Sequence, residues 1–154
     1  MRNAEASDLD ELARLWYDGW QEVHAPILPP ALACYRTLPS FRSRLEAGLD
    51  HVRVMGAPGE MLGFSFTKDD ELYQLYVSAT ARGSGVAVAL LTDAEQGLAA
   101  RGVETAWLAC AIGNNRATKF YEKNGWRRLG DVSYEIPTPD GIFLLNVWRY
   151  EKKL

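Results

Sequence analysis

The chain has 154 residues, 47% of them hydrophobic, enough for one compact domain over residues 1–154 whose core hides most of the apolar surface of the unfolded chain. Its formal charge of −3 excludes the clustered basic excess of a nucleic-acid surface, so any anion must be met by a local site. No run approaches the roughly eighteen apolar residues of a membrane span, and Met1-Arg2-Asn3-Ala4-Glu5 leads into acids rather than an apolar signal core, so a cytoplasmic protein without membrane contact is expected.

Ser7-Asp8-Leu9-Asp10 has capping-box spacing, and Leu9, Leu12, Ala13, Trp16 and Trp20 follow on one helical face. A Pro-interrupted stretch, His24 to Pro30, separates this helix from a second short one that begins near Pro39 and stops at Gly48. From His51 the pattern changes to short apolar runs: His51 to Met55, Met61 to Thr67 and Glu71 to Ser78, with turns at Gly56–Gly59 and Lys68–Asp70. These predict an antiparallel meander. A helix carrying Ala87, Leu90, Leu91, Ala94 and Leu98 on one face ends near Gly102, and a strand from Val103 to about Ile112 follows, so residues 71–112 form a strand–helix–strand unit expected to be parallel. A helix from about Asn115 to Asn124 stops at Gly125, and two last strands, about 126–136 and 142–152, flank a hairpin loop at Pro137-Thr138-Pro139-Asp140-Gly141. The fold class is therefore α/β, a mixed sheet with helices on both faces. Cys34 and Cys110 stand far apart, without CxxC spacing and with only His24 and His51 in the chain, which predicts plain, mostly buried thiols and no metal.

The chemistry-bearing segment is Arg82-Gly83-Ser84-Gly85-Val86-Ala87. It lies between a strand and a helix, where unpaired backbone N–H groups and the positive helix end suit an anion, although a plain tight turn has the same look. A P-loop is excluded because no Lys-Ser or Lys-Thr follows either glycine. A dinucleotide fingerprint fits badly: Glu104 has about the spacing of a ribose-binding acid, but Val88 occupies the third fingerprint position and the chain closes with a hairpin rather than further βα units.

This loop, after a strand ending Leu75-Tyr76-Val77, resembles the coenzyme A pyrophosphate motif (Q/R-x-x-G-x-G/A) of the GCN5-related N-acetyltransferases. A second block, Asn114-Asn115-Arg116-Ala117 with Phe120-Tyr121-Glu122-Lys123-Asn124-Gly125-Trp126, resembles that family's N-x-x-A…F-Y-E-x-x-G-F signature. The likeness covers about residues 60–150 and departs at Trp126 and Val86. It implies an acyl-CoA N-acyltransferase fold with a mostly antiparallel sheet and one parallel crossover. It also implies acetyl-CoA as co-substrate and an amine acceptor, in a monomer or homodimer. A non-catalytic acyl-CoA sensor is the alternative.

Attack of an amine on a thioester creates an oxyanion and expels a thiolate, which defines three tasks. By resemblance the Leu75 backbone N–H meets the oxyanion, Val77 pairs along the pantetheine arm, and Asn114 anchors it. Resemblance also makes Tyr121 the acid that protonates the thiolate, although Ala117, Phe120 and Tyr121 have the spacing of a buried helix face. Glu71 stands where some members of the family carry a carboxylate base, yet within Asp69-Asp70-Glu71 it also reads as a solvated turn acid; Tyr73 and Glu22 are weaker candidates. The acceptor pocket of this fold lies between the first helices and the last hairpin, here Trp16–Thr37 and Ser133–Asn146, where Trp16, Tyr17, Trp20 and Tyr35 offer aromatic walls, although Trp16 and Trp20 at helical spacing also read as core.

Overall fold

The computed structural model describes residues 1–154. A seven-stranded sheet runs β1 (Arg2–Asn3), β2 (Val52–Met55), β3 (Gly63–Lys68), β4 (Glu71–Val77), β5 (Thr105–Ala111), β7 (Gly141–Lys153), β6 (Arg127–Thr138) in spatial order. Every neighbouring pair is antiparallel except β4–β5, which is parallel and joined by helix α4 (Val86–Ala100). The parallel crossover and the meander expected from residues 51–112 are thus both present. No helix is long and apolar enough to cross a membrane.

The two faces of β3 explain the layering. Phe64 and Phe66 point to one side, into a core with Leu12, Trp16, Phe41 and Leu45 from helices α1 (Leu9–Val23) and α3 (Leu38–Ala47). Gly63 lies against α4 on the other side, where an added β-carbon would fall 2.8 Å from Leu90 Cδ1, so glycine permits the close approach. Leu91, Ala94 and Leu98 of α4 share a second core with Leu72, Leu108, Trp126 and Tyr150, on which helix α5 (Asn115–Lys123) also packs through Ala117, Phe120 and Tyr121.

Four local details differ from the pattern in the sequence. The capping box lies at Glu5 and Asp8 of the 3-10 turn Ala6–Asp8 that leads into α1 rather than at Ser7, with Asp8 buried, accepting from the Glu5 N–H at 2.8 Å and held by Arg2 at 2.7 and 2.9 Å. A short helix α2 (Pro30–Ala33) occupies the Pro-rich stretch, since Pro30 falls at its first position where no N–H is needed. The last hairpin closes more tightly than expected, with Thr138 opposite Gly141, so Pro137 lies inside the edge strand β6. Cys34 is exposed, contrary to expectation, whereas Cys110 is buried as expected.

Candidate active site

The parallel ladder between β4 and β5 is a single pair, Glu71 opposite Trp107, supported by the Trp107 N–H donating to the Asp70 carbonyl at 3.1 Å. Beyond it the strands separate. β4 stays on β3 as far as Val77 and β5 stays on β7 as far as Ala111, so their facing edges line a cavity of about 560 Å³. The Ser78 N–H donates to the Leu62 carbonyl at 2.8 Å, and in an antiparallel pair alternate residues turn their polar backbone toward the partner. Gln74 and Tyr76 therefore bond toward β3, while Leu75 and Val77 aim their N–H and C=O groups into the opening.

The glycine loop forms one end of this cavity, lined by Arg82, Gly83, Gly85 and Ala87. Gly83 and Gly85 adopt φ of +77° and +86°, and a β-carbon added at either would meet nothing within 4 Å, so open space lies against their backbone. The first intrahelical bond of α4 is Ala89 N–H to Gly85 O, which leaves the N–H groups of Val86, Ala87 and Val88 as free donors at a helix start. Ser84 and Val86 do not line the cavity with side chains: the Ser84 hydroxyl donates to the Ala81 carbonyl, and Val86 is buried against Ala81 and Leu90. Arg82 is gripped by both carboxylate oxygens of Glu22 at 2.7 and 2.8 Å, a pairing that holds its guanidinium cationic and depresses the Glu22 carboxyl.

Helix α5 supplies the opposite wall. Asn114 caps it, its Oδ1 accepting from the Ala117 N–H at 3.3 Å, and its amide nitrogen is left for the cavity it lines. Tyr121 is wedged against Phe120, Trp126 and Tyr150, with ring centroids 5.4 to 6.3 Å apart. Burial, with Cys110 and Tyr76 nearby, raises its hydroxyl well above the usual tyrosine range, and burial pushes the Cys110 thiol up to about 11. Both groups keep their protons at neutral pH.

Glu71 is not in this cavity. Phe66 faces Gln74 and Thr67 faces Leu72, so Tyr73 is an extra residue bulged out of β4. That bulge shifts the alternation: Leu72, Leu75 and Val77 pack toward α4 and α5, while Glu71, Tyr73 and Tyr76 share the other face. There Glu71 is only 8% exposed and lines a second cavity of about 470 Å³. The Tyr134 hydroxyl donates to its carboxylate at 2.9 Å, and burial lifts Glu71 to about 7 against the opposing effect of that bond. The solvated-turn reading of Glu71 does not hold.

The two cavities adjoin, because His24, Tyr73, Gln74, Tyr76, Ala109 and Ala111 line both. Tyr76 shares a 3.0 Å hydrogen bond with Nδ1 of His24, which burial lowers to about 4. Leu75, Val77, Arg82, Gly83, Gly85, Ala87, Asn114, Ala117 and Tyr121 are thus brought together in the first cavity, with Glu71 in the next. Among the aromatic candidates Trp16, Trp20 and Tyr73 line the second cavity, while Tyr17 and Tyr35 do not. Tyr134, His24, Arg36 and Arg44 lie in segments without local motif and enter the cavities only through tertiary packing, while Tyr76 was legible only as the middle residue of Leu75-Tyr76-Val77.

A model of the acetyltransferase (GNAT) family matches residues 12–126. The chain is similar in structure to a GCN5-related N-acetyltransferase from Rhodopseudomonas palustris, with a TM-score of 0.75 and 19% identity over 99% of this chain and 94% of that one. It is also similar to the PaiA N-acetyltransferase from Thermoplasma acidophilum in complex with coenzyme A, with a TM-score of 0.68 and 20% identity over 99% and 97%. A ribosomal-protein-alanine N-acetyltransferase from Brucella melitensis is similar with a TM-score of 0.74 and 19% identity over 99% and 98%. No curated protein matches the sequence.

Proposed function

The chain belongs to the GNAT acetyltransferase family, and from that membership and its two adjoining cavities we propose that it moves the acetyl group of acetyl-coenzyme A to a primary amine by direct attack in a ternary complex. The observation that carries this reading is the opening between β4 and β5, which joins the open space against the Gly83 and Gly85 backbone to a second cavity holding a buried carboxyl.

The donor's pyrophosphate would lie on the glycine loop and the free N–H groups of α4, with its arm along Val77 and Asn114. The Leu75 N–H then faces the thioester oxygen, where a donor fixed in advance stabilises the developing oxyanion without reorganising. The amine enters from the second cavity. Glu71, at about 7, accepts the proton the amine must lose, and the amine nitrogen forms its bond to the acetyl carbon. Collapse of the tetrahedral species breaks the C–S bond, and Tyr121 supplies the proton that converts the thiolate to thiol. The burial that keeps Tyr121 protonated also makes a nearby thiolate more basic, so the transfer is better matched than reference values suggest.

Titration calorimetry with acetyl-CoA, followed by amine-dependent release of free coenzyme A thiol over a panel of amines, tests the proposal. Binding together with amine-dependent release supports it. Binding without release for any amine would leave a non-catalytic sensor of acyl-CoA, and absence of binding would remove both readings.

A further inference from the structure

The second cavity contains more positive charge than the transfer of an acetyl group needs. Arg36, from the segment after α2, and Arg44, from α3, both line it. Arg36 is half-buried, and its guanidinium takes part in no salt bridge and no hydrogen bond with the protein. Burial lowers it to about 10, with the like charge of Arg44 acting in the same direction. Arg44 lies over the Trp16 ring at 4.5 Å and donates to the Tyr73 hydroxyl, but its Nη1 is buried with no partner at all. Two guanidinium groups close enough to repel, without a carboxylate between them, are costly unless something anionic joins them. The two carboxylates that line the cavity do not do so: Glu71 accepts from Tyr134, and neither it nor the exposed Glu135 forms a salt bridge with Arg36 or Arg44.

We infer that the acceptor is a small amine that also carries a carboxylate, its anionic group held by Arg36 and the free Nη1 of Arg44 while its amine faces Glu71 and the opening toward Leu75. The inference rests on the transferase reading above and narrows its acceptor. A guanidinium presents a planar fork of donors that matches the two oxygens of a carboxylate, and the vacant Nη1 is the donor such an oxygen would satisfy. A volume of about 470 Å³ suits an amino acid or a molecule of similar size. The rings of Trp16, Trp20, Phe41 and Tyr76 offer apolar surface to the remainder of such a molecule. A neutral amine would leave the buried Nη1 of Arg44 and the guanidinium of Arg36 without an anionic partner, which is how a site built for a charged partner rejects an analogue lacking it.

The test is a set of matched pairs: the common L-amino acids, β-alanine and γ-aminobutyrate, each against its own carboxamide, which keeps the amine and removes the negative charge. With the wild-type protein and acetyl-CoA, at least one free acid should exceed its amide tenfold or more in kcat/KM, and Arg36→Gln should reduce that preference below about threefold. Calorimetry of the same pairs in the presence of coenzyme A reads the preference without turnover and without any variant. A tenfold binding preference with no acetylation would keep this inference and overturn only the transferase reading. Preference below tenfold in every pair, in both measurements, overturns the inference even if acetyl transfer to neutral amines is brisk.

Discussion

Tyr134, on β6, donates its hydroxyl to the carboxylate of Glu71 at the start of β4 across 2.9 Å, although the two strands are separated in the sheet by β5 and β7. The bond crosses over Trp107 of β5, whose ring lies 6.0 Å from that of Tyr134, and fixes the one buried carboxyl of the second cavity.

A carboxyl at about 7 is protonated below that pH and a base above it, so acetyl transfer should climb as pH rises through about 7. Tyr134→Phe removes an interaction that favours the ionised form, so the midpoint should move upward. Glu71→Gln should flatten the limb and lower kcat by about 10²–10⁴-fold. Stability runs the other way: the folded value lies above the unfolded 4.5, so the contribution of Glu71 is full below about 4.5 and lost as pH rises through about 7. Glu71→Gln should therefore gain in Tm relative to wild type between about pH 5 and pH 8. Rate profiles and thermal melts of the three proteins check both signs, and a Glu71→Gln enzyme that keeps the wild-type limb would exclude Glu71 as the base.

Gly85 and Gly59 form a natural control pair, both at φ +86° and both with nothing within 4 Å of an added β-carbon. Only Gly85 borders the first cavity. Substitution by Val at either should cost on the order of 1–2 kcal/mol from left-handed backbone. Gly85→Val should in addition weaken acetyl-CoA at least tenfold, about 1.4 kcal/mol, while Gly59→Val leaves affinity unchanged. Equal affinities for the two variants would mean that the loop is only a turn.

Glu22 holds Arg82 from outside the cavity, with its side chain 53% exposed. Because its charge opposes that of a pyrophosphate, Glu22→Gln should tighten acetyl-CoA by about two- to fivefold at low salt, with the gain shrinking as salt screens it. Weaker binding in that variant would show that Glu22 serves by positioning Arg82 rather than by opposing the ligand.

The sequence was most legible where chemistry and local structure coincide. The glycine loop announces itself through two positive-φ positions at a helix start, and the Asn114 cap and the Gly125 stop bound the helix that carries Tyr121. The sheet order of the meander and the parallel crossover followed from run lengths and turn residues. Glu71 was harder to read, because its burial depends on the bulge at Tyr73, and one extra residue in a strand leaves no mark on an alternation already broken by aromatic residues. Tyr134 and Arg36 illustrate a second limit: they meet β4 only through tertiary packing, so no spacing in the chain encodes the cavity they line.

Tyr121 lines the first cavity, and its hydroxyl makes no hydrogen bond within the protein and keeps its proton. Tyr121→Phe retains the ring contacts with Phe120, Trp126 and Tyr150 and, with no partner to orphan, should change stability by less than about 0.5 kcal/mol. Rapid-quench, single-turnover acetyl transfer by wild type and Tyr121→Phe is the measurement, with acetyl-CoA affinity recorded for both. The chemical step should slow by about 10²–10⁴-fold at unchanged affinity. A step slowed less than about threefold would remove Tyr121 from the transfer and leave the departing thiolate to take its proton from another group.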